Sequence, residues 1–150
     1  MVRGWKLVID SVDARRQAEF WAAALGYQVE DQTSLIQGLR AAGQLPAEAV
    51  VEHDGRLAFR GFAAVRHPDD PFDEASDVGL GRRLLFQEVP ERKTVKNRLH
   101  VDVHGEAGQL AETVASLREL GATWVREENH GPAGHWHVLL DPEGNEFCAS

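Results

Sequence analysis

The chain has 150 residues, of which 43% are hydrophobic and 27% are charged, the composition of an ordinary globular domain rather than of a disordered segment. Its 24 acidic and 16 basic residues give a formal net charge of -8, which disfavours nucleic-acid binding because that function needs a basic surface. The single cysteine, Cys148, excludes an internal disulfide and suits a reducing compartment, and no apolar run reaches the roughly 20 residues of a membrane span. We therefore expect a cytoplasmic protein with neither a nucleic-acid nor a membrane partner.

The N-terminal region predicts a strand, a helix and a second strand. Residues 5–9 form a short β-prone run, and Asp13 is suited to cap the helix that follows. Apolar residues then recur at helical spacing until Gly26, a residue type that commonly ends helices. Residues 27–30 predict a short strand. The apolar helix face consists of Ala14, Ala18, Trp21, Ala22 and Leu25.

The middle of the chain shows weaker patterns. Residues 33–43 predict a short helix, whereas residues 46–54 are compatible with either a helix or a strand. Strands are expected at 57–65 and 83–89. Residues 68–77, with two prolines and five acidic residues, indicate a solvated surface loop rather than a calcium loop, because the regular spacing of calcium ligands is lacking.

The C-terminal region repeats the strand–helix–strand plan. Residues 99–104 alternate apolar and polar, which is typical of a half-buried strand, and residues 123–128 predict the strand after the helix. Residues 135–140 and 146–148 predict a hairpin around the polar turn at 141–145. The repeated plan predicts two similar modules. The helix face and its terminating glycine are Leu110, Val114, Leu117, Leu120 and Gly121.

Strand alternation divides the side chains of this second region between two faces of a sheet. If the apolar side faces the helices, it carries Leu99, Val101, Val103, Trp136, Val138, Leu140 and Phe147. The opposite face then carries His100, Asp102, His135, His137, Glu146 and Cys148. Imidazole, carboxylate and thiolate groups are metal donors, so this face is either a ligand or metal site or simply the wetter side of the sheet.

Three segments resemble glyoxalase-like domains of the vicinal-oxygen-chelate superfamily, which includes glyoxalase I, bleomycin-resistance proteins and extradiol dioxygenases. They are residues 7–10 with 18–27, residues 97–103, and residues 141–148. The resemblance implies an α+β fold in which two βαβββ modules form a curved mixed sheet around a cavity, with the helices on the outer face. A single domain would span 1–150, with module one at about 1–90, an insert at about 31–80, and module two at about 97–150.

The resemblance also implies a site, because metal-dependent members hold a divalent ion with ligands from the first and last strands of each module. His100 matches the opening ligand of module two, whereas Lys6 falls at the opening position of module one and cannot bind a metal while charged. Cys148 falls where glyoxalase I has a closing carboxylate, and Glu146 lies one pleat earlier. The closing strand of module one offers Gln87 or Glu88.

Two functions follow from this resemblance, and the residues leave open whether the protein is an enzyme. The first is a small-molecule-binding protein without a complete glyoxalase I metal site, with Lys6 pairing with Glu146 or binding an anionic ligand. Its ligand contacts would be His100, Lys6, Gln87, Asp102, His137 and Glu146. The alternative is a metal-dependent lyase, isomerase or dioxygenase, with Glu146 as the catalytic group that moves a proton. Its Zn, Ni, Fe or Mn ion would be held by His100, Glu88, Glu146 and Cys148.

A third reading is a non-catalytic interaction domain, and the resemblance allows a homodimer, since members of this superfamily often pair modules between chains.

Overall fold

The computed structural model describes residues 1–150, and its elements follow the two predicted modules with additional elements in the first. Module one contains β1 (Leu7–Ser11), α1 (Ala14–Leu25), β2 (Gln28–Val29), α2 (Thr33–Ala41), β3 (Val50–His53), β4 (Arg56–Phe59), β5 (Phe62–Arg66) and β6 (Arg83–Glu88). Module two contains β7 (Asp102–Val103), α3 (Leu110–Glu119), β8 (Thr123–Asn129), β9 (His135–Leu140) and β10 (Glu146–Ala149). Single 3-10 turns occur at Ala47–Ala49 and Gly131–Ala133.

Each module folds into a mixed four-stranded sheet, and the two sheets have the same strand order. The orders are β1-β6-β5-β2 and β7-β10-β9-β8. In each sheet the opening strand pairs in parallel with the closing strand, and the remaining neighbours are antiparallel. The prediction of two βαβββ modules in an α+β fold is therefore confirmed.

The first helix begins and ends where the sequence predicts. The Asp13 carboxylate accepts a hydrogen bond from the Arg16 backbone N–H at 3.0 Å, which satisfies one of the free amides of the first turn. Gly26 lies in the left-handed region at φ +67°, a conformation that glycine adopts without a steric penalty.

A membrane-crossing segment would need a longer and more apolar helix than any that the protein contains.

The hydrophobic core lies between the helices and one face of the sheets, and it is continuous across both modules. Phe86 of module one and Leu139 and Phe147 of module two are fully buried in it. The ring of Phe147 meets Trp21 of α1 edge-on at 5.2 Å and Phe20 at 6.0 Å, so the first helix packs on the last strand.

A partly exposed polar contact joins the modules at the turn before β10. One oxygen of Glu143 accepts hydrogen bonds from the Ser11 hydroxyl at 2.8 Å and from the Asp13 backbone N–H at 2.8 Å. Its other oxygen accepts from the Val12 N–H at 2.9 Å. The Trp21 indole N–H also donates to Asp141, at 3.3 Å. This Glu143 contact fixes the end of β1 against module two.

The middle of the chain differs from the prediction in two respects. The single strand expected at 57–65 is two strands, because the chain turns between β4 and β5 at Gly61, where φ is +80°. β5 pairs with β6 inside the module-one sheet, so the inserted elements end before Phe62 and the insert is shorter than the expected 31–80. The ambiguous residues 46–54 form a 3-10 turn and β3, which pairs with β4 in a separate hairpin.

Candidate functional site

A cavity of about 810 Å³ lies where the two modules meet, and we name it the junction groove. One wall is β1, and the other is the segment that leads from the end of β6 to residue 101. The groove is defined by Leu7–Asp10, Trp21, Val89, Glu91–Val95, Asn97–Val101, Asp141, Asn145 and Glu146. Apolar walls with several charged groups are typical of a site for a small organic molecule.

Glu146 is the most constrained acidic group in the junction groove. The Lys93 ammonium donates to one carboxylate oxygen at 3.0 Å, and the Asn97 backbone N–H donates to the other at 3.0 Å. Burial alone would raise the pKa of Glu146, but the hydrogen bonds from Asn97 and Lys93 outweigh it and hold the pKa below its ordinary value. The carboxylate is therefore ionised and engaged on both oxygens.

A second polar group, formed by His100, Asp102 and Cys148, lies at the start of module two. Asp102 pairs with Cys148 across β7 and β10, and the His100 Nε2 lies 3.3 Å from an Asp102 oxygen. One donor atom from each of the three residues falls within 4.8 Å of the others. Burial raises the pKa of the Cys148 thiol, and the Asp102 carboxylate raises it further, so the thiol is neutral at pH 7.

Alternation places β9 in the opposite phase from the prediction. Leu139 pairs with Phe147 in the core, so the neighbouring Val138 and Leu140 face the same side as Cys148 and Glu146. The assignment of Trp136, Val138 and Leu140 to the helix side is therefore wrong. His135 and His137 lie on the other face, away from His100. Residues 138–140 are three consecutive apolar residues, so the sequence pattern cannot fix their phase.

The opening segment of module two also differs from the prediction. Val103 is buried in the core, but Leu99 is 79% exposed and lines the junction groove. β7 begins only at Asp102, so the alternation expected from residue 99 does not carry Leu99 to the helix side. This leaves an apolar side chain available to a ligand.

In module one, the register separates the two candidate closing residues. Glu88 pairs with Ser11 and shares the side of Phe86, which faces the core, whereas Gln87 pairs with Asp10 and lies on the opposite side. Glu88 is therefore not brought together with His100. Lys6 is exposed and precedes β1.

Lys93, rather than Lys6, is the partner of Glu146, and sequence reasoning missed it. Lys93 lies in the segment between modules, which has no periodicity. The only available signal was the run of basic residues Arg92, Lys93, Lys96 and Arg98 just before His100. Of the predicted ligand contacts, His100 and Glu146 line the junction groove, and the structure places Lys6, Gln87, Asp102 and His137 outside its lining.

The residues present do not fit a four-ligand metal site shared by both modules. Lys6 places an ammonium group at one expected ligand position, and Glu88 lies on the core side of its sheet. Both oxygens of Glu146 already accept hydrogen bonds, from Lys93 and Asn97. Only His100 and Cys148 remain as donors at the expected positions, with Asp102 beside them.

Comparison with known proteins defines the class. Residues 6–150 match the model of the glyoxalase-like domain, so the chain belongs to this family. No curated protein gives a significant match.

Solved structures agree with this fold. A glyoxalase/bleomycin resistance protein/dioxygenase family enzyme from Burkholderia phytofirmans PsJN superposes with a TM-score of 0.56 at 17% identity, over 96% of this chain and 94% of that chain. A possible glyoxalase from Bacillus cereus gives 0.55 at 16% identity, over 96% and 94%. The fosfomycin resistance protein FosX from Listeria monocytogenes, with Mn(II) and 1S,2S-dihydroxypropylphosphonic acid, gives 0.58 at 9% identity, over 99% and 90%. At these identities the structures support the fold alone.

Proposed function

We propose that this chain is a glyoxalase-like small-molecule-binding protein whose junction groove holds an organic ligand without a metal shared by the two modules. The observation that carries the proposal is the bond between Lys93 and Glu146 at 3.0 Å. The Lys93 ammonium supplies the positive charge that a carboxylate in this position would otherwise take from a metal ion. An ammonium group has no empty coordination position, so it offers no Lewis-acid chemistry.

The apolar surfaces of the groove favour an amphipathic ligand. Its basic side chains offer contacts to an anionic or hydrogen-bonding group, although Asp10, Glu91 and Asp141 also lie in the lining. Val8, Val95 and Leu99 are exposed apolar side chains on its walls. Arg92, Arg98 and His100 line the same groove. A ligand that covers the apolar walls would gain roughly 25 cal/mol per Å² of apolar area removed from water, and the basic groups would orient it.

A fluorescent probe tests the groove directly. We expect 8-anilinonaphthalene-1-sulfonate, an apolar ring system with one sulfonate, to bind the native protein at one site. Leu99→Asp, which places a charge on the apolar wall, should weaken that binding at least tenfold. Leu80→Asp is the matched control, because Leu80 is 68% exposed and outside the groove. Equal binding by the two variants contradicts the proposal.

The names of the related structures suggest candidate ligands. Fosfomycin and bleomycin are therefore worth testing by thermal shift in the native protein and in both leucine variants. A rise in Tm that is lost in Leu99→Asp and kept in Leu80→Asp would identify the ligand class, because a ligand stabilises only the state that binds it.

A second candidate function is a metal-dependent lyase, isomerase or dioxygenase acting on a substrate with vicinal oxygens. It is favoured by the three donors of His100, Asp102 and Cys148 within 4.8 Å. A Zn, Ni, Fe or Mn ion there would polarise the substrate oxygens when bound. Metal content distinguishes the two functions. It is measured on native protein and on His100→Ala, both purified without an affinity tag. Under our proposal no near-stoichiometric metal depends on His100, and a metal that disappears in His100→Ala supports the enzyme.

The homodimer and the cytoplasmic location remain predictions, and sedimentation of the purified chain tests the first.

A further inference from the structure

A second set of metal donors lies outside the junction groove, on the face of β8 and β9 opposite Cys148. His135 and His137 are two residues apart on β9 and project from the same face, and Glu127 pairs with His137 from β8. The His135 Nε2 lies 2.7 Å from a Glu127 oxygen, and the two imidazole rings are 5.7 Å apart. One donor atom from each residue falls within 4.8 Å of the others.

We propose that Glu127, His135 and His137 form a binding site for a divalent transition metal of the Zn(II) class. Two imidazoles and one carboxylate are a ligand set that zinc accepts, with a fourth position open to water. Tetrahedral bonds of about 2.0–2.2 Å hold two donors roughly 3.3 Å apart. His135 and Glu127 need to separate only slightly from their present 2.7 Å, and their side chains are 42% and 50% exposed, so small rotations suffice.

The strand register, rather than chance proximity, holds the donors on one side. Trp136, the residue between the two histidines, points to the opposite side of the sheet, which is the side of Val138 and Cys148. Its ring stacks there with the ring of His130, at 5.1 Å between centroids. The sheet therefore separates this site from Cys148 and His100. A metal bound here is independent of the proposed function of the junction groove.

Trp124 gives the site an internal competitor. Its indole N–H donates to the Nδ1 of His137 at 2.9 Å, so in neutral His137 the proton is carried on Nε2. A metal that binds Nδ1 replaces the indole directly. A metal that binds Nε2 forces the proton onto Nδ1, where the indole can no longer donate. Either route breaks the hydrogen bond, so removing the indole N–H should strengthen metal binding.

Calorimetric titration of the tag-free chain with Zn(II) tests the site. We expect one binding event that weakens at least tenfold in His135→Gln and in Glu127→Gln, both exposed substitutions whose fold is checked by circular dichroism. His104→Gln is the matched control, because this exposed histidine lies outside both donor sets and its ring is hydrogen-bonded to the Ser150 hydroxyl. His100→Gln controls for the other donor set. Unchanged binding in His135→Gln, or loss only in His100→Gln, overturns the proposal.

Trp124→Phe supplies a second and independent readout. We expect this variant to bind Zn(II) severalfold more tightly than the native chain, the reverse of what simple disruption would cause. In the native chain, Ni(II) should quench part of the tryptophan fluorescence, and Trp124→Phe should lack that quenched part. Weaker Zn(II) binding by Trp124→Phe, or equal quenching in both proteins, would contradict the proposed role of the indole and of the site.

Discussion

The two modules have the same strand order but carry polar chemistry unequally. On the sheet face away from the helices, module one presents mainly Val8, Asp10 and Gln87, whereas module two presents His100, Asp102, Glu146 and Cys148. The faces toward the helices carry the buried apolar core in both modules, and in module two this face also carries Glu127, His135 and His137, which are not buried. The contrast shows that burial on the helix side determines this fold, while the other face is free to differ between modules.

The modules differ as well in how their second and third strands are connected. Module one inserts α2 and the hairpin of β3 and β4, and this hairpin meets α1 through an ion pair between Arg15 and Asp54 at 2.8 Å. A cavity of about 200 Å³ lies between the hairpin, α1 and the sheet. Module two passes from β8 to β9 through the single 3-10 turn Gly131–Ala133. Only module one therefore has extra elements beside its sheet.

The largest effect is expected from breaking the core contact that joins the modules. Phe147→Ala should lower the free energy of unfolding by about 3–5 kcal/mol, because it deletes a fully buried ring that packs on Trp21. Urea unfolding measures the loss. Leu80→Ala, at an exposed position, should stay within about 0.5 kcal/mol of the native protein. A loss below about 1 kcal/mol in Phe147→Ala would mean that α1 does not depend on module two.

The polar contact between the modules should have the next largest effect. Glu143→Gln keeps one acceptor oxygen but removes the negative charge that accepts hydrogen bonds from Ser11, Val12 and Asp13. We expect the free energy of unfolding to fall by about 1–3 kcal/mol. Chemical denaturation compares it with Glu74→Gln in the surface loop, which should be near neutral. Equal stability of the two variants would show that the amide replaces the carboxylate fully.

The bond between Lys93 and Glu146 predicts a dependence of stability on pH. The folded pKa of Glu146 is depressed, so its contribution is fully present above the unfolded pKa of about 4.3 and is lost as the pH falls through the folded pKa. Native protein should therefore lose more stability between about pH 5 and pH 3 than Lys93→Met, which lacks the partner. In the native protein the Lys96 ammonium donates to the Asn97 carbonyl and not to Glu146, so Lys96→Met should retain the native slope. Identical slopes in all three proteins would refute the prediction.

The smallest effect is expected where the insert touches α1. Arg15→Ala removes exposed ion pairs to Glu19 and Asp54, and we expect less than about 1 kcal/mol of destabilisation because solvent screens both. Thermal unfolding at low and high salt measures it. A larger loss would mean that the hairpin contributes to the stability of module one.

Prediction from sequence succeeded where local signals and burial agree. The Asp13 cap, the Gly26 terminus and the apolar spacing of α1 define that helix without help from distant residues. It failed in β9, where apolar residues at 138–140 satisfy both phases of a strand. It failed again for 57–65, because the pattern gave no weight to Gly61 as a turn.

The sequence by itself determined the two-module α+β plan, the helix boundaries and the family, since these depend on local spacing and on short motifs. Tertiary structure decided which charges meet. It paired Glu146 with Lys93 instead of Lys6, turned Glu88 toward the core side, and separated His137 from His100. The physical reason is that alternation along a strand gives the period of its side chains but not their phase, which the register with neighbouring strands sets.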